Sequence, residues 1–472
     1  MKRHFRMVLI AALLLGLILA GGLMTAQSAP GGGGGSVLTV SGTPWGITSM
    51  YTGACEGDVD FNVNDMLDLG INVYRMWWGM GRLEWQDDDG VYGSPTIAEI
   101  KANPDIINWA WWDNAFTVRP AYAWEEGIWQ GTTAQQLQGL QANNILPVVT
   151  LRPYHKSSQA AWAIPLCPPD TVEDQNEWWE HVFATIYWCN VRNNYGVDDW
   201  QVHNEPDNGG QGWAGTEAQY YQFVQLTYDA IKYVYDTYLP GRPFRVYAPV
   251  STSSDSWVAG CLQQAGPYFN VLDTHAYSST WSADAQEANG YIQQYGGGRH
   301  YDLFFSEWGS WHQNQYNTVN FVTTSLMPNL IKGCYNDNNH VWGSCIFGLY
   351  DWKKGVYGLL DVETGYKREG YWGMRMACRA IQGGRTTYQT ASTNGDLLCI
   401  TTRDAAGRYY VLINNKGRTV TATVDLSALL YSGTGTMWEY SAANKDVIVG
   451  SPVLSAGKVT ITIPNGAVLL KF

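Results

Sequence analysis

Two glutamates in this sequence lie in settings that suit acid–base chemistry. Glu205 follows a short apolar run in WQVHNEPDN, and Glu307 lies in FFSEWG at the end of another such run. An isolated glutamate is more often a solvated surface charge. Two carboxyl groups that face each other can cleave a glycosidic bond, because one protonates the leaving oxygen while the other attacks the anomeric carbon. The pair therefore predicts this chemistry only if the fold brings both side chains together.

Further polar residues follow other apolar runs. Asn204 immediately precedes Glu205, Arg75 lies in VYRMWW, and His275 and Tyr277 lie in DTHAY. A lone arginine is more often part of a surface ion pair, and a lone histidine can be a hydrogen-bonded core residue. Their joint occurrence after several strand-like runs indicates one shared site, since chance would have to place each of them independently.

A second group of residues could line the same cleft. Tyr154 and His155 follow the third run in LRPYHK, and His203 lies in HNEP, although a structural role suits each of them equally well. Trp308 in SEWG, Trp352 in LYDW and the tryptophans of WWGM and WAWWDN could stack on sugars, whose faces present apolar C–H groups to aromatic rings. Core packing is the more common fate of such rings.

Eight short apolar or β-branched runs recur along the chain. They are WGITSM at residue 45, INVYRMWW at 71, ILPVVTLRP at 145, DDWQVHNEP at 198, FRVYAPV at 244, VLDTHAYS at 271, DLFFSEWGSW at 302 and VWGSCIFGLYDW at 341. Stretches between them, such as EAQYYQFVQLTYDAIKYVYDTY, show apolar residues at spacings of three and four, which indicates helices. Strands alternating with helices pair in parallel, and eight such units close into a (β/α)8 TIM barrel. The alternative is an open doubly wound sheet, but no glycine-rich phosphate loop follows the first run.

The active site of such a barrel lies at the carboxyl ends of its strands. Glu205 ends the fourth predicted strand and Glu307 ends the seventh. They are about 100 residues apart, which equals three repeats of roughly thirty residues when a barrel of about 250 residues divides into eight. The two carboxylates should therefore face each other across the barrel mouth.

The barrel is predicted to cover residues 37–382 and to end in a helix at about 371–382. Residues 383–472 alternate apolar and polar residues between turns, as in RYYVLINNKG, which favours a small C-terminal antiparallel β-sandwich. VLTVSG at residue 37 is a candidate extra strand of that sandwich. The connection 79–144 is far longer than a normal βα loop and rich in tryptophan, so we expect it to form one wall of a cleft.

HNEP after the fourth strand and FFSEWG on the seventh resemble the acid/base and nucleophile motifs of the clan A retaining glycoside hydrolases. The resemblance implies a barrel in which Glu205 is the acid/base and Glu307 is the nucleophile. It further implies that Asn204 binds the sugar 2-hydroxyl, that Arg75 keeps the nucleophile ionised, and that the DTHAY segment contacts the nucleophile.

Within this clan, the order HNEP, HAY, SEWG and a terminal sandwich is most similar to the β-xylosidase and α-iduronidase family. The similarity covers roughly residues 45–380. One departure concerns the eighth strand, in which clan members usually carry a tryptophan. This chain reads CIFGLYDW there, with Phe347 at the corresponding place and Trp352 further on.

Composition narrows the classes of partner. Charged residues make up 15% of the chain and hydrophobic residues 45%, which excludes a disordered protein or a coiled coil. The formal net charge of -13 repels nucleic acid and anionic membranes, so a neutral carbohydrate substrate is favoured. We expect no metal and no other cofactor, since the eight cysteines form no CxxC pair.

Residues 1–29 predict a secretory signal peptide, because basic residues precede an apolar run and small residues follow it. An uncleaved membrane anchor is the alternative, since residues 7–24 are just long enough to span a bilayer. In either case the rest of the chain lies outside the cytoplasm, after a flexible glycine-rich linker at 30–36. Disulfides can form there, and we expect Cys167 to pair with Cys189 and Cys334 with Cys345.

The sequence thus favours a secreted retaining β-glycosidase that acts on a neutral polysaccharide or its oligosaccharides, such as a β-glucan, xylan or mannan. The aromatic content and the long connection favour endo-cleavage, and an exo-acting β-xylosidase-like enzyme is the alternative. A non-catalytic carbohydrate-binding barrel is a rival of another class, although both glutamates are present where such a barrel usually lacks one. The sequence leaves open hydrolysis or transglycosylation, and it leaves the oligomeric state unknown.

Overall fold

Eight short parallel strands close into a barrel. The structure is a computed structural model that describes residues 35–55, 62–118, 131–153, 161–253, 255–277, 281–310, 315–333, 341–351, 358–361 and 364–472. After β1 (Ser36–Ile47), the barrel strands are β2 (Tyr51–Cys55), β3 (Val73–Gly79), β4 (Leu146–Arg152), β5 (Asp199–Val202), β6 (Arg245–Ser251), β7 (Val271–Thr274), β8 (Asp302–Trp308) and β9 (Gly343–Phe347). Because β2 pairs in parallel with both β3 and β9, the sheet has no free edge. The predicted (β/α)8 barrel is confirmed.

Helices connect the barrel strands. The α-helices of the described residues are Val63–Leu69, Met80–Leu83, Ile97–Ala102, Trp109–Thr117, Thr133–Ala142, Val172–Ile186, Glu217–Tyr238, Ser256–Gln264, Trp281–Tyr295, Val319–Phe321, Met327–Gly333 and Glu369–Ile381. Short 3-10 turns cover Pro104–Ile106, Ala161–Ala163, Gly209–Gln211, Gly266–Tyr268 and Gln315–Asn317, and π-helical turns cover Tyr187–Arg192 and Val322–Leu326. The predicted helix Glu217–Tyr238 begins where the Thr216 side chain accepts a hydrogen bond from the backbone N–H of Gln219, which fixes its start.

The first predicted barrel strand is misplaced. The sequence suggests residues 45–50, whereas the structure has Tyr51–Cys55, and the residues up to Ile47 belong to β1. A Cβ atom at Gly53 would lie 1.9 Å from the carbonyl oxygen of Val73, so the strand YTGAC needs a small residue there. Such a strand has little β-branched or apolar character, and periodicity does not reveal it. Each of the other seven runs overlaps a barrel strand.

The long connection between β3 and β4 is helical where the structure describes it. Its Trp112 is fully buried, and Trp111 stacks on Trp85 with ring centroids 4.1 Å apart. The Trp111 indole also donates a hydrogen bond of 3.0 Å to the carbonyl oxygen of Leu83. These tryptophans therefore serve packing. Residues 119–130 of the connection lie outside the described part, and its role as a cleft wall stays a prediction.

The carboxyl-terminal region forms a second, mainly antiparallel sheet. Its strands are β10 (Thr386–Ser392), β11 (Leu397–Arg403), β12 (Tyr409–Asn415), β13 (Val420–Asp425), β14 (Gly433–Thr434), β15 (Thr436–Ser441), β16 (Lys445–Gly450), β17 (Val453–Leu454), β18 (Lys458–Ile463) and β19 (Gly466–Lys471). Nine strands pair in the order β16-β15-β19-β12-β11-β10-β1-β13-β18, and β14 pairs with β17. Val411 and Val424 come from strands far apart in this order but pack in one core, as in the two layers of a sandwich.

The amino-terminal strand β1 belongs to this second sheet, as the sequence predicts. It pairs antiparallel with β10 and parallel with β13. The helix Glu369–Ile381 connects the sheet to the barrel, because its Arg379 forms an ion pair with Asp446 and its Glu369 accepts a hydrogen bond of 2.7 Å from Lys445. Residues Ser36–Phe472 form one compact unit.

The expected cysteine pairings are wrong. Cys189 and Cys345 are free thiols, and both are fully buried. Cys189 lies in the turn Tyr187–Arg192 and Cys345 lies in β9, so each packs as a small apolar residue in the core. Closeness in sequence therefore did not supply the Cβ geometry that a disulfide requires. Cys334 lies outside the described residues.

The predicted signal peptide and residues 30–34 of the predicted linker also lie outside the described residues. Among the helices that the structure does describe, none is both long enough and apolar enough to cross a bilayer.

Candidate active site

Glu307 is held between a cation and a hydroxyl group at the carboxyl end of β8. The Nη1 atom of Arg75, on β3, lies 2.6 Å from Glu307 Oε1, and only 3% of the Glu307 side chain is exposed. The hydroxyl of Tyr277 donates a hydrogen bond of 2.8 Å to Glu307 Oε2. Both carboxylate oxygens are therefore positioned, and the charge of Glu307 is balanced by Arg75.

Glu205 lies just beyond the end of β5 in a backbone conformation that few glutamates adopt. Its φ is 47°, in the left-handed region that is uncommon for residues other than glycine. Its backbone N–H donates a hydrogen bond of 2.8 Å to the carbonyl oxygen of Val250 on β6. The Glu205 carboxylate interacts with His275 Nδ1 at 2.8 Å and accepts a hydrogen bond of 2.9 Å from Asn208 Nδ2. The turn HNEP therefore places the Glu205 carboxylate beside the His275 imidazole.

The two glutamates meet across the barrel mouth. One oxygen of Glu205, one oxygen of Glu307 and a ring nitrogen of His275 all lie within 4.8 Å of one another. His275 Nδ1 lies 3.5 Å from Glu307 Oε2, so the imidazole lies beside both carboxylates. Retaining glycosidases place their carboxyl groups about 5 to 5.5 Å apart, whereas inverting enzymes need roughly 6.5 to 9.5 Å to admit a water. The nearest oxygens of the two carboxylates here are closer together than the carboxyl groups of an inverting site.

Arg75 connects the carboxyl ends of β5 and β8. Besides Glu307, its guanidinium donates hydrogen bonds of 2.6 Å to Asn204 Oδ1 and to Gln201 Oε1. Gln201 in turn donates to the carboxylate of Asp273 on β7. This buried network fixes the Arg75 fork, because each of its three branches meets an oxygen.

Gln201, Asp273 and Asn208 were not identified from the sequence. Gln201 and Asp273 lie on β5 and β7, and both side chains are completely buried. The signal that could have found Gln201 is its alternation with Asp199, which puts two polar residues on one face of β5. Polar side chains at alternate positions of a barrel strand point into the barrel, where they need partners.

The charges of the site are coupled. Burial alone would raise the pKa of Glu205, but the hydrogen bonds from His275 and Asn208 and the nearby positive charges outweigh it, so its pKa lies below the ordinary value. Burial alone would lower the pKa of His275, yet the charges of Glu307 and Glu205 and the hydrogen bond to Glu205 raise it. The arrangement therefore stabilises the charged form of both Glu205 and His275.

The other residues suggested by the sequence have different environments. His203 is completely buried against Trp213, and burial lowers its pKa to about 3, so it is neutral. Trp308 is only 1% exposed and lies in the core. Tyr154, His155 and Trp352 lie outside the described residues. Substrate contacts by Trp308, His155 and Trp352 stay predictions.

An aromatic surface adjoins the site. Trp77 on β3 is partly exposed and stacks on Phe347 of β9, with ring centroids 6.2 Å apart. The guanidinium groups of Arg75 and Arg152 lie 5.3 Å and 4.7 Å from the centroid of the same indole. Its neighbour Trp78 is completely buried. Of the two WWGM tryptophans, only Trp77 has a surface that could reach a sugar.

The Glu205, His275 and Glu307 trio could also offer three ligand atoms to a cation. Arg75 already lies 2.6 Å from Glu307, and the raised pKa of His275 favours a second positive charge there. The charge that a metal ion would bring is therefore supplied by the protein itself, and the trio is better suited to proton transfer than to metal binding.

No protein-family model matches the sequence, and neither does any curated protein. Solved structures of glycoside hydrolases do match the fold. A glucosidase from Croceicoccus marinus superposes with a TM-score of 0.67 at 12% identity, covering 92% of this chain and 98% of the other. A GH39 enzyme from Xanthomonas axonopodis pv. citri gives 0.62 at 13% identity, covering 95% and 99%. A GH30 endoxylanase from Clostridium papyrosolvens C71 gives 0.60 at 12% identity, covering 92% and 99%. The chain therefore shares the barrel-and-sheet fold of these glycoside hydrolases over nearly its whole described length.

Proposed function

We propose that this protein is a retaining glycoside hydrolase that cleaves β-glycosidic bonds with Glu205 and Glu307. The observation that carries the proposal is the meeting of the two carboxylates, whose oxygens lie within 4.8 Å of each other beside the Arg75 cation. The fold shared with the glucosidase and the endoxylanase supports it. A narrower placement with the β-xylosidases and α-iduronidases rests on the motif order alone.

The reaction proceeds in two displacements. Glu307 attacks the anomeric carbon, and its oxygen forms a bond to that carbon while the bond to the leaving oxygen breaks. Glu205 delivers a proton to the leaving oxygen. In the second step Glu205 takes a proton from water, and the water oxygen replaces Glu307 at the same carbon.

His275 holds the proton that this cycle needs. Its Nδ1 lies 2.8 Å from Glu205 Oε1, so the pair shares one proton, which moves to Glu205 when the leaving oxygen arrives. Arg75 and Tyr277 hold the Glu307 carboxylate in place from both of its oxygens. Orientation of the attacking group is a large part of the rate advantage of such sites.

Asn204 is placed to bind the sugar. Its Oδ1 accepts from Arg75, which fixes the orientation of the amide, while its buried Nδ2 has no acceptor among the described residues. A buried amide donor without a partner is costly. A sugar hydroxyl next to the anomeric carbon would satisfy it, as the resemblance to clan A implies.

The substrate is a neutral polysaccharide or its oligosaccharides. The formal net charge of -13 disfavours anionic polymers, and Trp77 beside Phe347 offers an aromatic surface for a sugar ring. β-Glucan, xylan and mannan are the candidates. The long β3–β4 connection favours endo-cleavage over exo-cleavage, and the amino-terminal segment of the sequence favours secretion.

A panel of these polysaccharides and of aryl β-glycosides tests the proposal, with products sized by chromatography. The Glu307→Ala and Glu205→Ala variants should lose hydrolysis but remain folded. Glu307→Ala should lower the unfolding midpoint because Arg75 then loses its partner, and a Glu287→Gln control, whose side chain is exposed, should keep both activity and midpoint. Azide should restore turnover of activated aryl glycosides to Glu205→Ala. Normal turnover by either alanine variant would contradict the proposal, and sugar binding without turnover by the unmodified protein would favour a carbohydrate-binding barrel.

A further inference from the structure

A cavity of about 400 Å³ lies where the barrel meets the second sheet, and none of Glu205, His275 and Glu307 lines it. On the barrel side it is lined by the helix Met327–Gly333, by the π-helical turn before that helix, and by the start of the helix Trp281–Tyr295. On the other side it is lined by β11, by the end of β12 and by the loop before β11. We call it the junction cavity. Ligand sites occur preferentially at such boundaries and have volumes of about 300–1,000 Å³.

The second sheet presents polar side chains to the junction cavity. Asn414 in β12 pairs with Leu398 in β11, and both residues line the cavity. Lys416 follows the end of β12, and Asp396 precedes the start of β11. These two residues are adjacent, because the backbone N–H of Lys416 donates a hydrogen bond of 3.2 Å to the carbonyl oxygen of Asp396. An amide, an ammonium group and a carboxylate are therefore gathered at one end of two paired strands.

Asn414 carries the strongest indication that this cavity takes a ligand. The residue is only 1% exposed, and its Nδ2 donates a hydrogen bond of 2.8 Å to the carbonyl oxygen of Thr323. That bond fixes the orientation of the amide and turns Oδ1 away from the carbonyl. The Oδ1 atom is buried and has no hydrogen-bond partner among the described residues. A buried acceptor without a donor is costly, so a ligand that donates a hydrogen bond would satisfy it.

Other polar groups of the lining are also available to a ligand. In the part of the chain that the structure describes, Lys332 and Lys416 form no ion pair, and the Asp396 carboxylate accepts no hydrogen bond. Ser282 adds a hydroxyl group to the same lining. The ammonium groups can only donate hydrogen bonds, the carboxylate can only accept them, and the hydroxyl group can do both. The junction cavity therefore suits a ligand that both donates and accepts.

We propose that the junction cavity is a second carbohydrate-binding site, which holds a segment of the polysaccharide outside the active site. The choice of a carbohydrate rests on the proposed function. A sugar hydroxyl can donate to Asn414 Oδ1 while a neighbouring one accepts from a lysine, whereas a simple anion such as sulfate has no donor for Asn414. The apolar surfaces of Leu398 and Pro328 can contact the C–H groups of a sugar ring. Binding at two sites would keep a polymer chain near the active site, because the second contact is intramolecular.

The test uses the full chain carrying Glu307→Ala, so that saccharides are not cleaved, with cello-, xylo- and manno-oligosaccharides as probes. Hydrogen–deuterium exchange followed by mass spectrometry locates the bound sugar. One of these saccharides should slow exchange in residues 323–332 and 395–398, which line the junction cavity, as well as in residues 203–208 at the active site. Protection of the active site alone would overturn this inference and leave the proposed function intact. Protection of the junction cavity alone would support the second site and contradict the proposed function.

Lys332→Ala, Lys416→Ala and Asn414→Leu are the test variants in the same background. Each should raise the saccharide concentration that half-protects the junction cavity by about two- to tenfold, the equivalent of one hydrogen bond. Asn414→Leu also loses the hydrogen bond of its amide, so its unfolding midpoint is measured. The two exposed lysines keep the test decisive if that variant does not fold.

Lys458→Ala is the matched control, because its side chain is 55% exposed on β18 and does not line the junction cavity. It should leave the half-protecting concentration unchanged. Undiminished protection in every folded test variant would overturn the proposal. Equal protection of the same residues by sodium sulfate would also overturn it, since that result would identify an anion site.

Discussion

The guanidinium of Arg75 on β3 and the carboxylate of Glu307 on β8 form a buried ion pair, with Nη1 and Oε1 2.6 Å apart. The same guanidinium holds the side chains of Asn204 and Gln201. Arg75 on β3 thus connects side chains at the end of β5 to the Glu307 carboxylate at the end of β8. A buried pair of this kind contributes little net stability in general, but removing one partner leaves a charge without compensation.

Arg75→Ala should therefore destabilise the protein by about 3–5 kcal/mol and remove activity. Arg75→Lys keeps the charge but loses the planar fork that meets three oxygens. We expect it to recover part of the stability and little of the activity. Urea unfolding and kcat/KM measurements separate the two effects. Full activity in Arg75→Lys would show that the fork is unimportant.

The interaction of Glu205 with His275 predicts that the free energy of unfolding passes through a maximum as the pH is varied. The lowered pKa of Glu205 gives stability that is present above its unfolded-state pKa and is lost as pH falls through the folded value. The raised pKa of His275 gives stability that is present below its unfolded-state pKa and is lost as pH rises through the folded value. Their joint contribution is therefore largest between the unfolded-state pKa of Glu205 and that of His275.

His275→Gln should flatten this maximum and shift the alkaline limb of the kcat/KM profile to lower pH, because the proton for the leaving oxygen must then be held by Glu205 alone. His300→Gln, whose side chain is 89% exposed, is the control and should change neither. Unfolding free energies and kcat/KM are measured over the same pH series. An unchanged alkaline limb in His275→Gln would separate His275 from proton delivery.

The free amide donor of Asn204 predicts a contact with the sugar hydroxyl next to the anomeric carbon. Asn204→Ala should lower kcat/KM by about ten- to a hundredfold, the cost of one hydrogen bond to a buried group. A 2-deoxy substrate lacks this hydroxyl. Asn204→Ala should therefore lower kcat/KM much less for the 2-deoxy substrate than for the normal one. Equal losses on both substrates would argue for a purely structural role through Arg75.

The two adjacent tryptophans of β3 should respond differently to substitution. Trp77→Ala should weaken substrate binding by about 0.5–1.5 kcal/mol with a small change in stability, because its ring is partly exposed. Trp78→Ala should destabilise the fold by about 3–5 kcal/mol, because its ring is completely buried. KM and thermal unfolding distinguish these outcomes. Loss of stability in Trp77→Ala without any change in KM would remove Trp77 from the substrate site.

Strong local patterns made the barrel and its two glutamates predictable. HNEP and FFSEWG each follow an apolar run, and the spacing of the runs gives the strand count. The first strand was misplaced because Gly53 must be small where it packs against Val73. The strand therefore lacks the apolar pattern by which a strand is identified in the sequence. The cysteine pairs were wrong because sequence distance says little about the direction of a side chain.

The supporting residues of the site were harder to predict. It can be inferred that Gln201 and Asp273 point into the barrel only once the register of each strand is known. Trp308 follows Glu307 in sequence, yet alternation along β8 turns its side chain into the core. Contacts that depend on register and side-chain direction therefore required the structure, whereas strand identity did not.

The central claim is that Glu307 bonds to the anomeric carbon of the substrate. A 2-deoxy-2-fluoro glycoside with an activated leaving group slows the second displacement and traps this bond. Intact-protein mass spectrometry should show one added glycosyl group, and peptide mapping should place it on Glu307. An adduct on another residue, or turnover that releases product of inverted configuration, would contradict the account.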